Sequence, residues 1–83
     1  MCEEDIQKIE KAQSGDKNAL EELIEENNGL IWSIVKRFYG RGHEPEDLYQ
    51  IGCLGFIKSI KRFNTDFEVK LSTYAVPYMI GEI

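Results

Sequence analysis

Glu46-Asp47-Leu48-Tyr49-Gln50-Ile51-Gly52-Cys53-Leu54-Gly55-Phe56-Ile57-Lys58-Ser59-Ile60-Lys61-Arg62-Phe63 is the stretch whose reading decides the fold. It opens as a helix opens. Pro45 suits the first helical position, where its missing N–H is not needed. Glu46 and Asp47 place two negative charges at the positive end of the helix dipole. Asn64 is a stop signal, so the pattern predicts a helix over 45–63. On the helical repeat Leu48, Ile51, Gly52, Gly55, Phe56, Ser59, Ile60 and Phe63 share one face, which should bury against the rest of the chain. The opposite face carries Asp47, Gln50, Cys53, Leu54, Ile57 and Lys61. Two readings of it are open. Either the helix is covered on both sides by its own domain, or the second face docks the helices of another protein through apolar anchors in a polar surround. The two glycines cost about 1 kcal/mol each relative to alanine inside a helix, a loss that the close approach of a neighbouring helix would offset.

Working outward, the 83 residues are enough for one small domain with a modest core. No apolar run approaches the ~20 residues a membrane span requires, and the acidic start Met1-Cys2-Glu3-Glu4-Asp5 is not a signal peptide. Cys2, Cys53 and the single His43 lack metal-ligand spacing, so reduced thiols in the cytoplasm, with no metal site and no cofactor, are expected. The net charge of −5 conceals an asymmetry: residues 1–28 hold nine acids and three bases, and residues 29–83 six acids and seven bases. An acidic front is unlike a nucleic-acid surface. The bases Lys36, Arg37, Arg41, Lys58, Lys61, Arg62 and Lys70 could gather on one side, although charge runs are commonly solvated faces.

Before the central stretch, residues 4–14 read as a short helix with Ile6, Ile9 and either Ala12 or Gln13 facing inward, ended by Ser14-Gly15. Asp16 reads as the N-cap of a second helix carrying Leu20, Leu23 and Ile24. Asn28-Gly29 is a break signal. A third helix is predicted from about Leu30 to Tyr39, with Ile31, Ile34, Val35 and Phe38 as its stripe and Trp32 in the core. Gly40–Glu44 is a loop. After the connector 64–68, Ser72 reads as the cap of a last helix over 73–83, with Pro77 opening or kinking its first turn. No strand pattern is present. The class is all-α, a small bundle of four to five helices forming one domain over 1–83. The chain stops in mid-pattern at Gly81-Glu82-Ile83, which reads as a piece whose continuation is missing.

A second constellation is Lys70-Leu71-Ser72-Thr73-Tyr74-Ala75-Val76-Pro77-Tyr78: one base, two hydroxyls and two aromatics on adjacent turns. Hydroxyls and free N–H groups at a helix start suit phosphate, and aromatic faces suit stacking of unpaired bases. The alternative is that Ser72 and Thr73 only cap the helix while the tyrosines complete the core.

The run Asp47–Ile60, then Arg62-Phe63, then Lys70-Leu71-Ser72-Thr73-Tyr74-Ala75 resembles the central part of bacterial RNA polymerase sigma factors of the sigma-70 class. Ser72–Pro77 with Gly81-Glu82-Ile83 is most similar to the sporulation and general-stress branches of Gram-positive bacteria. The resemblance extends over the whole chain and is most specific over 46–83. It implies the helical region two of such a factor, preceded by a lead-in helix at about 4–14, without the downstream promoter-binding domains. It further implies docking on the clamp helices of the largest subunit of core RNA polymerase through Asp47, Gln50, Cys53, Leu54 and Ile57. The same resemblance implies a grip on the opened non-template strand of the minus-ten promoter element through Phe63, Lys70, Ser72, Thr73, Tyr74 and Tyr78. An enzyme is not implied: the polymerase carries out the catalysis, and the partners are polymerase and promoter DNA, with no membrane.

Four positions depart from the family pattern. Leu71 stands where a Phe is usual, Pro77 replaces the aromatic of housekeeping members, and Phe67-Glu68 replaces an Arg-Gly pair. The competing reading is an interaction module without independent DNA binding: one chain of a split sigma subunit, or a sigma domain held by an anti-sigma factor.

Overall fold

The computed structural model describes residues 3–66 and 69–83, so Cys2 and the Phe67-Glu68 departure lie outside the described residues. Among the described residues the elements are α1 (Glu3–Gln13), α2 (Lys17–Glu26), α3 (Asn28–Val35), a 3-10 turn (Lys36–Phe38), α4 (Pro45–Arg62) and α5 (Leu71–Glu82), with no strand. The expected all-α class is what the chain adopts.

α1 ends where Ser14-Gly15 predicts, with the Ser14 hydroxyl donating to the Lys11 carbonyl at 2.8 Å and Gly15 at φ 105°. Asp16 caps α2, accepting from the Ala19 N–H at 3.1 Å. Ile9 and Leu23 enter the core, together with Ala19, which the periodicity had not singled out. The break between α2 and α3 is a single residue, Asn27, so α3 begins at Asn28 rather than at Leu30. Asn27 serves both sides of the joint: its N–H closes α2, its carbonyl accepts from the Ile31 N–H, and its amide donates to Leu23. The expected continuation to Tyr39 tightens into the 3-10 turn, where the Tyr39 N–H reaches Lys36 at 3.3 Å.

α4 is the axis of the bundle. It packs most extensively on α5 and also on α3, α1 and α2. Pro45 occupies its start, the acids Glu46 and Asp47 its first turn, and the bases Lys61 and Arg62 its last, all complementing the dipole. The predicted inner face is realised: Leu48, Gly52, Gly55, Phe56, Ser59, Ile60 and Phe63 are buried and Ile51 is half-buried. Ser59, fully buried, donates its hydroxyl to the Phe56 carbonyl at 2.6 Å and so carries no unsatisfied polar atom into the core.

The glycines explain how α5 can lie so close. A Cβ on Gly55 would stand 2.6 Å from both the Met79 Cα and the Tyr78 carbonyl oxygen, which is backbone against backbone. A Cβ on Gly52 would meet only methyl groups, Val35 Cγ2 at 2.9 Å and Ile31 Cγ2 at 3.3 Å.

α5 corrects one expectation. Ser72 is not its cap: the helix starts at Leu71, with extended Lys70 at the cap position making no side-chain cap bond. The Tyr74 N–H bonds to the Lys70 carbonyl at 3.1 Å, and buried Leu71 pins this earlier start into the core. Pro77 is therefore the seventh helical residue, past the first turn. The helix runs through it without interruption, and the carbonyl that loses a donor belongs to exposed Thr73.

Candidate interaction surfaces

The outer face of α4 is open. Asp47, Gln50 and Leu54 are exposed, Leu54 at 47 %, and Cys53 and Ile57 are half-buried between them. Among the described residues no element covers the exposed side of Leu54, so the first of the two readings, a helix enclosed on both sides by its own domain, does not hold there. An exposed leucine between two half-buried apolar or thiol side chains, rimmed by Asp47, Gln50 and Lys61, is an apolar strip in a polar surround.

One edge of this strip was not anticipated. Trp32 of α3 is half-buried rather than in the core, and its ring stacks on Tyr49 at 4.5 Å with 22° between the planes. The Tyr49 hydroxyl donates to the Asn28 side-chain oxygen, joining α3 to α4. Burial, and secondarily the Cys53 thiol one turn on, push the Tyr49 hydroxyl up to about 12. Burial likewise raises the Cys53 thiol, partly offset by the Tyr49 hydroxyl. Cys53 thus lacks the lowered pKa that makes a thiol reactive at neutral pH. The stacked pair could have been suspected from the tyrosine preceding Cys53 by one turn, but its partner comes from another helix.

The far end of α4 and the start of α5 form the second surface. Phe63 meets Tyr74 edge-on at 5.3 Å, and Tyr74 lies 5.2 Å from Tyr78. The two tyrosine hydroxyls are 3.0 Å apart, the Tyr74 hydroxyl also points at the Arg62 carbonyl at 3.4 Å, and the Arg62 guanidinium lies over the Tyr78 ring at 6.0 Å. Their mutual hydrogen bond raises the pKa of Tyr74 and lowers that of Tyr78, where Arg62 adds to the lowering. Of the six residues expected to touch nucleic acid, Lys70 and Thr73 are exposed and Ser72, Tyr74 and Tyr78 are half-buried. Phe63 is the buried member of the six. It is 4 % exposed and offers no free ring face; it is the backing on which Tyr74 rests.

Lys70 and Ser72 lie apart from that aromatic cluster, on the rim of a cavity of about 350 Å³ between α1, α2 and the start of α5. Asp5, Glu26 and Asn27 share its lining with the apolar Ile9, Leu23 and Leu71. These three polar residues were missed, because only the tertiary fold brings positions so far apart in sequence to one place. Leu71, the departure from the family's usual Phe, is buried at 6 % exposure.

The architecture is therefore that of a small all-α domain with one open helix face and an aromatic cluster beside a polar cavity. The chain belongs to the sigma-70 family: the Sigma-70 region 2 description matches residues 23–83. It is 53 % identical over 75 residues to the RNA polymerase sigma-F factor of Bacillus subtilis (strain 168), covering 90 % of this chain and 29 % of that protein. It is 49 % identical over 69 residues to the RNA polymerase sigma-G factor of the same organism, covering 83 % and 26 %. A putative RNA polymerase sigma-G factor of Bacillus thuringiensis subsp. kurstaki is 46 % identical over 81 residues, covering 96 % of this chain and 65 % of that protein. The chain thus spans about three-tenths of the length of the sigma-F relative. The expected resemblance to the sporulation and general-stress branches meets relatives named as alternative factors, sigma-F and sigma-G.

Proposed function

We propose that this chain is the part of an alternative sigma factor that docks on core RNA polymerase and engages the melted minus-ten element during transcription initiation. On this reading 1–83 form one region-two unit, with α1 as its lead-in helix. Asp47, Gln50, Cys53, Leu54 and Ile57 seat the clamp helices of the largest polymerase subunit. The observation that carries the proposal is Leu54: an apolar side chain left 47 % exposed on the central helix of a sigma-70 region 2 chain. Flanked by half-buried Cys53 and Ile57, it has the form of an anchor waiting for a partner helix.

Tyr74 and Tyr78 offer ring faces to unstacked bases of the non-template strand, while Lys70 and Ser72 at the cavity rim and exposed Thr73 hold its backbone. Taking a base out of a duplex costs a few kcal/mol, and stacking on an aromatic side chain returns roughly 1–3 kcal/mol per base. The polymerase supplies the catalysis and this chain supplies address and strand separation, in the cytoplasm. Consistent with that setting, no helix among the described residues is long and apolar enough to cross a membrane.

The test is capture of purified clamp helices by the chain and by Gln50→Ala and Ile57→Glu variants, with helicity followed by circular dichroism. Binding that both variants weaken at unchanged helicity supports the docking face; a folded parent that does not bind rejects it. The net charge of −5 favours the second reading, an interaction module without independent DNA binding, because phosphate neutralisation dominates such affinity. Tyr74→Ala separates the two: loss of promoter-directed transcription with polymerase binding intact supports the DNA role, and undiminished transcription supports the module.

A further inference from the structure

The last turn of α4 is where the aromatic cluster begins, and its own hydrogen bonding is thin. A helix leaves its final carbonyls without intrahelical partners, and the capping N–H of Phe63 reaches the Ile60 carbonyl only at 3.3 Å. The missing donors come from the end of another helix. The Gln13 side-chain amide, at the last residue of α1, donates to the Ile60 carbonyl at 2.9 Å and to the Phe63 carbonyl at 2.6 Å. One NH₂ group thus spans the joint at which the chain leaves α4, and both of its hydrogens are used.

What the joint holds gives this contact its consequence. Between the two clamped carbonyls lie Lys61 and Arg62. The Arg62 carbonyl receives the Tyr74 hydroxyl, and its guanidinium lies over Tyr78. At the joint's end the Phe63 ring supports Tyr74 edge-on. The hydrogen bond and ring contacts that tie the Tyr74 and Tyr78 side chains to the end of α4 run through Arg62 and Phe63.

We infer that Gln13 is a positioning residue for nucleic-acid engagement: its amide fixes the end of α4, and through Arg62 and Phe63 sets the poses of Tyr74 and Tyr78. The inference rests on the proposed role of those tyrosines in holding single-stranded DNA. It assigns a DNA-directed role to a residue that reaches the aromatic cluster only through the backbone of Phe63 and that lies ahead of the matched family segment.

The experiment compares the parent chain with Gln13→Leu, which keeps the bulk and removes both donors, and Gln13→Lys, which restores a donor and adds a charge suited to a helix C-terminus. Three quantities are read for each: affinity for isolated clamp helices, affinity of the chain–core polymerase complex for a single-stranded oligonucleotide carrying a minus-ten element, and the proton NMR shifts of the Phe63 and Tyr74 rings. For Gln13→Leu, clamp-helix affinity stays within about twofold, oligonucleotide affinity falls about tenfold as two hydrogen bonds are lost, and the ring shifts move. Gln13→Lys recovers most of the oligonucleotide affinity and the parent's ring shifts. A leucine variant that binds the oligonucleotide like the parent, or that fails in both assays through unfolding while Gln13→Lys gives no recovery, overturns the inference. Failure of the underlying reading shows elsewhere: a parent that binds clamp helices but no oligonucleotide removes the DNA role of the tyrosines, and the inference with it.

Discussion

A methyl group at Gly55 has no space to enter. Its contacts would be Met79 Cα and the Tyr78 carbonyl oxygen, both at 2.6 Å, so α5 as a whole must retreat. Gly55→Ala gains about 1 kcal/mol of helix propensity, and a forced backbone shift costs about 1–3 kcal/mol or more. Urea denaturation should therefore show a net loss of about 1–2 kcal/mol for this substitution. Gly52→Ala meets only side-chain methyls that can move, and its midpoint should stay closer to that of the parent. Equal midpoints for the two variants would contradict the packing described. Tyr49 gives a pH signature. Its hydroxyl, normally near 10, is raised to about 12 in the folded chain, so the folded chain holds the proton more tightly. That contribution is complete below about pH 10 and is lost as the pH climbs towards about 12. Thermal melts across this window should fall less steeply for Tyr49→Phe than for the parent; identical slopes would assign the alkaline loss to other groups.

At the level of elements, α2 depends on its cap. Asp16→Ala removes the one side-chain acceptor at its N-terminus and should cost about 1 kcal/mol in chemical denaturation. Asp16→Asn, which keeps the acceptor, should retain most of that stability. α4 has a harder task, since one helix serves a core on one side and an open strip on the other. Its inner face tolerates little: Phe56→Ala should cost about 3–5 kcal/mol, enough to unfold a domain of this size at ambient temperature. On the outer face, Leu54→Ala removes little internal packing at a site 47 % exposed, so its melting temperature should stay close to the parent's while clamp-helix capture weakens. A large drop in melting temperature would mean that the side chain is internally packed after all.

For the molecule as a whole, charge is divided along the chain. The acidic α1 and α2 carry most of the negative excess, and seven of the ten bases follow from Lys36 onward. At the cavity rim both signs meet, with Asp5 and Glu26 facing the region of Lys70. On the proposed reading, Lys70 is the lining cation that reaches the backbone of the strand. Oligonucleotide binding in the polymerase complex should then lose about 0.7 of its log–log salt slope on Lys70→Ala, the amount one single-strand phosphate contact carries. An unchanged slope would remove Lys70 from the phosphate-contacting set.

The amino-acid sequence by itself determined the helices and the inner face of α4, because apolar spacing, Pro45, Asp16 and Ser14-Gly15 act within a few residues of one another. It also carried the family resemblance, since Asp47–Ile60 is continuous. The need for a close helix neighbour was legible at Gly52 and Gly55, although not which helix meets which glycine. Other features only the tertiary structure decided. Trp32 was expected in the core and instead stacks on Tyr49 beside the open face; Phe63 is buried and supports Tyr74; Ser72 was expected to cap α5 and instead lies in its first turn. The cavity around Lys70 and the grip of Gln13 on Ile60 and Phe63 join positions far apart in the chain. Periodicity tells which side of a helix seeks cover. Which residue covers it, and which is left over to meet a partner, depends on how the helices cross, and that is set by the summed packing of all of them.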